Sequence, residues 1–420
     1  MSLKPNNYMP RLIDKKIEDL LQVSGAISIE GPKWCGKTFT SLSHASSAID
    51  MDDEETRNRF ILNPELVLNE PKPELIDEWT REPVIWDKIR RKCDALETKG
   101  NYILSCSTSL IDENKIFHSG AGRISRLKMN TMSLFESNDS SGDISIMDMY
   151  EGKEIVKTVK KVSLEELANL IIRGGWPANI NVAKDKYGLM PKYYINSILE
   201  KDIYESKNVD IIKMQKLLKS LARNESTVVS NNKLIKDISD NDDLNIDKRT
   251  VSDYIEILEK LNLLSNQLSY SSNYRSPERV GKNVKRHFAD PSLAAALLNM
   301  NSSKLIDDLK TFGFLFEALV ERDLKIYMDY LGGNLYHFRD NVNGLEVDSI
   351  LEFENGEYAA VEIKLGFNQY KEACESLLKF QNNVTKKPKF MCVICGYNEN
   401  IVKDKETGIY IIPITALKPE

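Results

Sequence analysis

The stretch Ser24–Ala45, SGAISIEGPKWCGKTFTSLSHA, decides the fold of the first part of the chain. The run GAISIEG is rich in β-forming residues and ends in glycine, and the segment after the next turn has the character of a helix. Between them, Gly31 to Thr38 fits the pattern G-x-x-x-x-G-K-[ST]. A strand, a glycine turn and a helix in this order predict a phosphate-binding loop.

The predicted loop gives each part of the motif a role. Gly31 and Gly36 let the backbone turn so that its N–H groups point at phosphate oxygens. Lys37 would reach the β- and γ-phosphates, and the Thr38 hydroxyl would coordinate Mg²⁺. ATP and Mg²⁺ are therefore the predicted cofactors, and a chance match in a glycine turn is the alternative. The predicted contact residues are Gly31, Pro32, Lys33, Trp34, Cys35, Gly36, Lys37 and Thr38.

Two polar strand ends follow downstream. In LIDEW, Asp77 would hold the magnesium ion and Glu78 would polarise the attacking water. A solvated acid pair is the alternative. In NYILSCSTS, Ser105 or Ser107 could lie between the acidic positions and sense the γ-phosphate, although a strand that simply ends in a polar turn explains the residues equally well.

An arginine pair follows a turn of small residues in HSGAGRISRLKM. Arg123 or Arg126 could contact a nucleotide, within its own chain or from a neighbouring subunit. We place Arg123 among the nucleotide-binding residues, and contact from a neighbouring subunit would require a homo-oligomer. The alternative is a surface arginine pair.

Composition limits the class of protein. The chain has 420 residues, which predicts two to four domains, and its net charge of −6 argues against a generally basic nucleic-acid coat. No apolar run is long enough to span a membrane, and MSLKPNNYMPRL lacks the apolar core of a secretory signal. We therefore expect a cytoplasmic protein without a membrane partner. The pair CVIC lies in an apolar run and predicts a buried strand rather than a metal site.

The pattern of the chain changes twice. Strands and helices alternate up to residue 160, which predicts parallel βαβ units. Residues 161–284 are mostly helical. From residue 285, a long helix, three strands, a helix and another strand form a second α/β region. The predicted domains are therefore 1–160, 161–284 and 285–420.

A second set of chemical groups lies in EVDSILEFENGEYAAVEIKLG. Asp348 lies on a strand, ENGE reverses the chain, and the return strand carries Glu362 and Lys364. Residues two apart on a strand share a face, and a hairpin would bring Asp348 to that face. Two carboxylates and a lysine form an arrangement suited to Mg²⁺ binding and phosphodiester cleavage. A charged hairpin face is the alternative.

These motifs together resemble a known family. The ordered set GPKWCGKT, LIDEW, WDKIRRKCD, YILSCSTS, HSGAGRI, MSLFES and RGGWP is similar to prokaryotic AAA-type ATPases that carry a C-terminal domain of unassigned function. The resemblance extends through RHFADPSLAAALL, GFLFEALVERDL, HFRD and EVDSILE to AAVEIKLG, and so covers nearly the whole chain. The family usually has Thr-Gly-Ser where this chain has Ser105-Cys106-Ser107, which weakens the predicted sensing role.

The C-terminal motif resembles the D…E-x-K core of restriction-endonuclease-like nucleases. The resemblance implies that Asp348 and Glu362 bind metal, that Lys364 assists catalysis, and that Glu317, in FGFLFEALV, adds a further carboxylate on the metal side. An inactive nuclease fold is the alternative, because fold does not imply function.

The middle region resembles a winged helix-turn-helix, and the family has such a module here. In DKRTVSDYIEILEKLNLL, Lys248 and Arg249 lie at the helix start, where DNA contacts are made. Winged helices also bind proteins, and the acidic run DISDNDDLNID would repel a phosphate backbone. DNA, reached through the winged helix and the C-terminal domain, is thus one expected partner.

The predicted fold class is α/β. It comprises a parallel sheet of the AAA-type P-loop NTPase kind, then a helical and winged-helix region, then a restriction-endonuclease-like α/β domain. The predicted function is an Mg²⁺-dependent ATPase coupled to a nuclease-like DNA-processing domain. The alternative is an ATP-switched regulator that binds DNA or protein without cleaving it.

Overall fold

The structure is a computed structural model of the 420-residue chain. It describes residues 3–96, 98–107, 119–203, 209–239, 246–273, 275–276, 279, 284–340 and 344–420. These residues form two compact units. The first contains the residues up to Thr131 together with Ile257–Leu263, and the second contains Met132–Glu256 and Leu264–Glu420.

A parallel β-sheet forms the centre of the first unit. Its strands in the described residues are β1 (Ala26–Glu30), β2 (Ser47–Asp50), β3 (Glu74–Asp77), β4 (Tyr102–Cys106) and β5 (Ile124–Lys128). They lie in the order β2-β3-β4-β1-β5, and each neighbouring pair is parallel. The helices are α1 (Ile13–Val23), α2 (Lys37–His44), α3 (Glu54–Leu62) and α4 (Val84–Ala95). The predicted parallel α/β arrangement is confirmed.

Both faces of this sheet are covered, as expected for parallel strands joined by helices. Ile27 and Ile103 pack with Ile17 of α1 on one face, whereas Leu104 packs with Trp86 of α4 on the other. These side chains are fully buried, and burial of each aliphatic one contributes roughly 1.5–3 kcal/mol. Because all neighbouring strands are parallel, their carboxyl ends meet at one edge of the sheet.

The second unit combines helices with a larger sheet. Its helices are α5 (Ile146–Tyr150), α6 (Leu164–Arg173), α7 (Leu189–Ser197), α8 (Ile211–Arg223), α9 (Asn231–Ser239), α11 (Pro291–Leu297), α12 (Ser302–Asp307), α13 (Leu309–Tyr330) and α14 (Tyr370–Asn383). Helix α10 (Lys248–Lys260) begins in this unit. Its strands are β6 (Ile144–Ser145), β7 (Val156–Thr158), β8 (Leu268–Ser269), β9 (Asn334–Asp340), β10 (Leu345–Glu352), β11 (Tyr358–Gly366), β12 (Met391–Tyr397), β13 (Asn400–Lys403), β14 (Tyr410–Pro413) and β15 (Leu417–Lys418).

The large sheet of the second unit is mixed. In the described residues its order is β7-β13-β14-β12-β11-β10-β9-β8. The strands β9, β10 and β11 are antiparallel neighbours, whereas β11, β12 and β14 run parallel. Helix α13 precedes β9, and α14 connects β11 to β12. The predicted order of helix, three strands, helix and strand is therefore present.

Short early strands also belong to the second unit. Strand β6 pairs with β15, and β7 pairs with β13. The segment that contains β6 and β7 thus packs with the C-terminal part of the chain.

Helices α8, α9 and α10 precede an antiparallel backbone pairing. The run predicted as a strand, LLSNQLSYS, forms only the short β8 and isolated bridges. The bridged residues are Leu264 with Phe288, Gln267 with Lys285, and Thr227 with Arg286.

The CVIC pair lies in β12, where Cys392 and Cys395 are fully buried and not disulfide-bonded. The interpretation of this pair as part of a buried strand is confirmed. Burial raises the pKa of the Cys395 thiol to about 12. Among the described residues, no helix has both the length and the apolar character needed to cross a membrane.

Candidate functional site

The predicted phosphate loop connects β1 to α2. Gly31 packs against the backbone after β5, where an added Cβ would lie 2.2 Å from the carbonyl oxygen of Met129. Gly36 has φ +103° and is the N-cap of α2. Neither position accepts a side chain without strain. The two glycines therefore bring the backbone tightly round to the N-terminus of α2, where N–H groups are available to an anion.

Lys37 is almost completely buried in this loop. Its ammonium group donates hydrogen bonds to the carbonyl oxygens of Gly31, at 3.0 Å, and Pro32, at 2.8 Å. A buried ammonium group needs acceptors, and here the loop supplies them. Thr38, one residue on, is exposed. The loop thus holds Lys37 close to its backbone and leaves Thr38 exposed to solvent.

Arg11, which lies outside the motif, forms hydrogen bonds to this loop. Its guanidinium group donates to the carbonyl oxygen of Cys35 at 2.8 Å, and to those of Asn130 and Thr131 at 2.9 and 3.0 Å. Arg11 is buried. Arg11 was not predictable from the sequence, because an arginine ahead of a helix carries no pattern that connects it with a loop more than twenty residues away.

The acidic strand end lies at the same edge of the sheet. Asp77 ends β3, and Glu78 follows with φ +48°, an unusual backbone conformation for a residue other than glycine. Strand β4 lies between β1 and β3, so its polar end is placed between the loop and the acids. Ser105 Oγ donates to Asp77, and Ser107 Oγ donates to Oε1 of Glu78 at 2.6 Å.

Cys106, the residue that departs from the family pattern, faces the other way. It is buried in the apolar core beside Trp79 and Trp86, and burial raises the pKa of its thiol to about 12. The two serine hydroxyls therefore face the acids while the cysteine packs inside. The following residues, 108–118, complete two of the quoted motifs but lie outside the described part of the chain.

Of the two predicted arginines, Arg123 lies away from the phosphate loop, whereas Arg126 lies beside Glu30, the residue directly before the loop. Arg123 immediately precedes β5, and its carbonyl oxygen accepts a hydrogen bond from the amide of Ala26, the first residue of β1. It therefore lies at the sheet edge opposite to the loop, and its Nε is 2.7 Å from Asp94 Oδ1. This position does not bring Arg123 to a nucleotide on its own loop. Arg126 stacks over the ring of Trp86, with its Nη1 3.6 Å from Glu30.

The second predicted site comes together in the hairpin of β10 and β11. Asp348 Oδ2 accepts a hydrogen bond from the amide of Ile363 at 2.8 Å. Lys364 Nζ lies 2.8 Å from Glu362 and 3.9 Å from Asp348. A β-bulge interrupts the pairing of β10 with β9 between Val347 and Ile350, and such bulges re-aim side chains. The structure therefore brings Asp348, Glu362 and Lys364 to one place.

Glu317 lies on α13, but a lysine already binds it. Lys285 Nζ forms ion pairs with Glu317 and, at 2.9 Å, with Glu321. It also donates to the carbonyl oxygen of Asp348 at 3.3 Å. Lys285 and Glu321 are nearly inaccessible to solvent. A buried cation thus lies between the helix glutamates and the hairpin aspartate.

A buried histidine extends this charged cluster. The Nδ1 atom of His287 lies 3.1 Å from Glu225, and its Nε2 forms an ion pair with Glu321. Four members of this cluster were not among the predicted site residues: Lys285, His287, Glu225 and Glu321. Two spacings in the sequence indicated shared faces. Glu317 and Glu321 are four apart on a helix, and Lys285 and His287 are two apart in extended backbone.

The pKa values of this cluster move in different directions. Burial, together with the charge of Asp348, raises the pKa of Glu362 to about 8. Burial likewise raises the pKa of Glu317 to about 8 against the opposing charge of Lys285. Burial disfavours the charged forms of Glu321 and His287, but their mutual attraction outweighs it, lowering the pKa of Glu321 to about 2 and raising that of His287 to about 9.

The predicted metal ligands are close together but are not arranged as a metal-binding group. In the part of the chain that the structure describes, no three His, Cys, Asp or Glu side chains form such a group. The reason is visible in the contacts, because Lys285 binds Glu317 and Lys364 binds Glu362. Oxygen donors suited to a divalent cation are present, but lysine ammonium groups face them.

The predicted DNA-contacting residues begin α10. Lys248 and Arg249 are exposed, and Asp247 caps the helix by accepting from the amide of Thr250 at 2.7 Å. Most of the acidic run predicted to repel a phosphate backbone, residues 240–245, lies outside the described residues.

Comparison with known proteins assigns a class to the first unit. Residues 24–138 match the AAA domain family. Residues 164–304 match a domain of unknown function, DUF8612, and residues 312–417 match another, DUF4143. With a parallel sheet, a G-x-x-x-x-G-K-T loop and an acidic strand end, the first unit contains a P-loop ATPase domain of the AAA type.

Solved structures and curated proteins add little detail. A Walker-type ATPase of Pyrococcus abyssi is 12% identical, with a TM-score of 0.45, and the match covers 71% of this chain and 98% of that one. No curated protein matches the chain. The family matches alone give the chain an AAA domain together with two domains whose function is unassigned.

Proposed function

We propose that the chain binds ATP with Mg²⁺ on Gly31–Thr38 and hydrolyses it. The observation that carries this proposal is the position of β4. Its end lies between the phosphate loop and the acid pair, and its two serine hydroxyls bond to Asp77 and Glu78. A phosphate cradle, a metal-binding carboxylate and a water-orienting carboxylate at one sheet edge are the parts that phosphoryl transfer to water requires.

Each residue then has a defined role. Lys37 exchanges its bonds to loop carbonyl oxygens for bonds to the β- and γ-phosphates. The Thr38 hydroxyl and Asp77 hold Mg²⁺, which neutralises developing charge when bound. Glu78, with one oxygen held by Ser107, uses the other to orient the attacking water.

A nucleotide-binding assay tests the site directly. ATP with Mg²⁺ should raise the thermal midpoint of the parent chain, because a ligand that binds only the folded state stabilises it. Lys37→Ala should abolish this shift, whereas Lys16→Ala, at an exposed position of α1, should retain it. A Lys37→Ala chain with the parental shift and ATPase rate would contradict the proposal.

We also propose that residues 285–420 form a restriction-endonuclease-like domain that acts on DNA. The order α13-β9-β10-β11-α14-β12 and the meeting of Asp348, Glu362 and Lys364 support this proposal. In the active form, Asp348, Glu362 and Glu317 would hold Mg²⁺, and Lys364 would position or activate the water that cleaves a phosphodiester.

Residues 161–284 would join the ATPase to this domain through a winged helix. Three helices followed by an antiparallel pairing support that assignment. Lys248 and Arg249 would contact DNA from the start of α10. We expect the protein to act in the cytoplasm, as a homo-oligomer if Arg123 serves a neighbouring subunit.

A nuclease assay with and without ATP separates the two candidate functions. A nuclease should cleave DNA in Mg²⁺ or Mn²⁺, and Asp348→Ala and Lys364→Ala should abolish cleavage while Lys371→Ala, at an exposed site on α14, should not. The second candidate is an ATP-switched regulator that binds DNA or protein without cleavage. The lysine-bound state of Glu317 and Glu362 favours this alternative, and it predicts ATP-dependent binding with no cleavage.

A further inference from the structure

We propose that Lys285 is a built-in competitor for the cation position of the Asp348 site, so that a divalent cation binds tightly there only when the Lys285 ammonium leaves. This inference concerns the regulation of the metal site in the proposed function and rests on that assignment. It uses a residue outside the D…E-x-K motif.

The Lys285 ammonium group occupies a position that a metal ion could take. It contacts Glu317 and Glu321 from α13 and the carbonyl oxygen of Asp348 from β10. These are oxygen donors from two separate elements, and they converge on one cationic nitrogen. A divalent cation prefers the same type of donor. The ammonium group and a metal ion would therefore compete for these oxygens.

A buried side-chain oxygen that has no hydrogen-bond partner in the described part of the chain lies near Lys285. Gln267 is buried, and its Oε1 has no hydrogen-bond partner among the described residues. Gln267 pairs directly with Lys285 in the backbone, and side chains of directly paired residues lie on the same face. Its Nε2 lies 3.5 Å from Ser349, the neighbour of Asp348. A neutral oxygen donor is thus available at the edge of the same site.

His287 lies on the side of Glu321 opposite to Lys285. His287 Nδ1 lies 3.1 Å from Glu225 and its Nε2 forms an ion pair with Glu321, so one carboxylate oxygen of Glu321 faces His287 while the other faces Lys285. Negative and positive groups therefore alternate through the contacts of this cluster, in the order Glu225, His287, Glu321, Lys285 and Glu317. Removal of Lys285 alone would leave Glu317 and the Asp348 carbonyl oxygen without this cation, while Glu321 would keep its partner His287.

The backbone that carries Lys285 pairs with residues of the proposed winged helix. Lys285 pairs with Gln267, and the next residue, Arg286, pairs with Thr227. A ligand that shifts this pairing would move the ammonium group away from Glu317. Occupancy of the winged helix and metal affinity of the Asp348 site would then be coupled.

Metal binding to the full-length chain without nucleotide tests this inference. Ca²⁺ and Mn²⁺ are titrated by calorimetry, and thermal midpoints are recorded in EDTA and in each metal. Lys285→Met should melt below the parent in EDTA, because removal of one partner leaves buried carboxylates unpaired. Each metal should raise the thermal midpoint of Lys285→Met by more than it raises that of the parent. It should also bind Lys285→Met at least tenfold more tightly than it binds the parent.

Two further variants complete the design. Lys285→Arg keeps the charge and should retain weak metal binding, whereas Asp348→Asn added to Lys285→Met should cancel the gain. Equal or weaker metal binding by Lys285→Met would overturn the inference. If Lys285→Met does not fold, Lys285→Gln, which is also neutral, is used instead. If that chain folds in neither EDTA nor Ca²⁺, the result also contradicts the inference.

These outcomes differ from failure of the nuclease proposal. Tight metal binding by Lys285→Met without DNA cleavage would support the competitor role and remove the nuclease. Cleavage by the parent chain, without tighter metal binding by Lys285→Met, would support the nuclease and remove the competitor role.

Discussion

Ser107 Oγ donates a hydrogen bond to Oε1 of Glu78 at 2.6 Å. The two residues follow neighbouring parallel strands, β4 and β3, so the bond joins two strand ends at the edge that carries the phosphate loop. A carboxylate with one oxygen held in this way has a fixed orientation, which makes Ser107 a positioning residue for the proposed hydrolysis.

Ser107→Ala should therefore lower kcat for ATP hydrolysis with little change in KM. A hydrogen bond to a charged group contributes about 1.5–3 kcal/mol, so the expected loss is roughly 10- to 100-fold. Steady-state kinetics measure both constants. Ser105→Ala, which removes the bond to Asp77, should instead raise the Mg²⁺ concentration needed for half-maximal rate. Parental kcat in Ser107→Ala would exclude this role.

The backbone conformation of Glu78 should lower the stability of the fold, although its side chain supports ATP hydrolysis. Its φ of +48° lies in the left-handed region, which costs a residue with a side chain roughly 1–2 kcal/mol. Glu78→Gly and Glu78→Ala should both lose ATPase activity, but the glycine variant should be the more stable by about 1 kcal/mol. Denaturant unfolding of the two variants makes the comparison, and an alanine variant of equal or greater stability would refute the strain.

Arg123 lies at the sheet edge opposite to its own phosphate loop, so we expect its predicted role to require a second subunit. Arg123→Ala and Lys37→Ala should each be inactive alone. A mixture of the two should regain ATPase activity, because an intact Arg123 of one chain then meets an intact loop of another. Full activity of Arg123→Ala alone would show that Arg123 has no role in hydrolysis and only pairs with Asp94.

His287 should make the free energy of unfolding fall as the pH becomes alkaline. Its pKa is raised from 6.5 to about 9 in the folded chain, because its attraction to Glu321 outweighs the effect of burial. Between these values the folded state binds more protons than the unfolded state, so stability falls as pH rises. The full shift corresponds to roughly 3 kcal/mol, complete below pH 6.5 and lost above about pH 9.

The matched variant for this prediction is His287→Gln. The difference in urea-unfolding midpoint between parent and variant should be largest at pH 6 and shrink towards pH 9.5. A difference that is constant across this range would mean that His287 does not carry the proton in the folded chain.

The first site was predictable because its signals are local. Gly31, Gly36 and Lys37 lie within seven residues, and a preceding strand and a following helix confirm their context. Asp77, Glu78, Ser105 and Ser107 each follow an apolar run that predicts a strand. Since parallel strands end at one edge, the sequence also indicated that these residues would meet.

Some arrangements depended on contacts that no local pattern encodes. Whether an arginine after a small turn reaches the loop depends on the direction of β5, and parallel pairing with β1 placed Arg123 at the far edge. The affiliation of β6 and β7 likewise depended on their pairing with β15 and β13.

The sequence by itself determined the phosphate loop, the acid pair and the Asp348–Glu362–Lys364 hairpin, because backbone periodicity sets the relative directions of residues close in the chain. Only the tertiary structure decided which charges neutralise one another. Lys285 reaches Glu317 and Glu321, more than thirty residues away, because burial forces a charged group to find its partner wherever packing places one. That contact determines the present state of the predicted metal site.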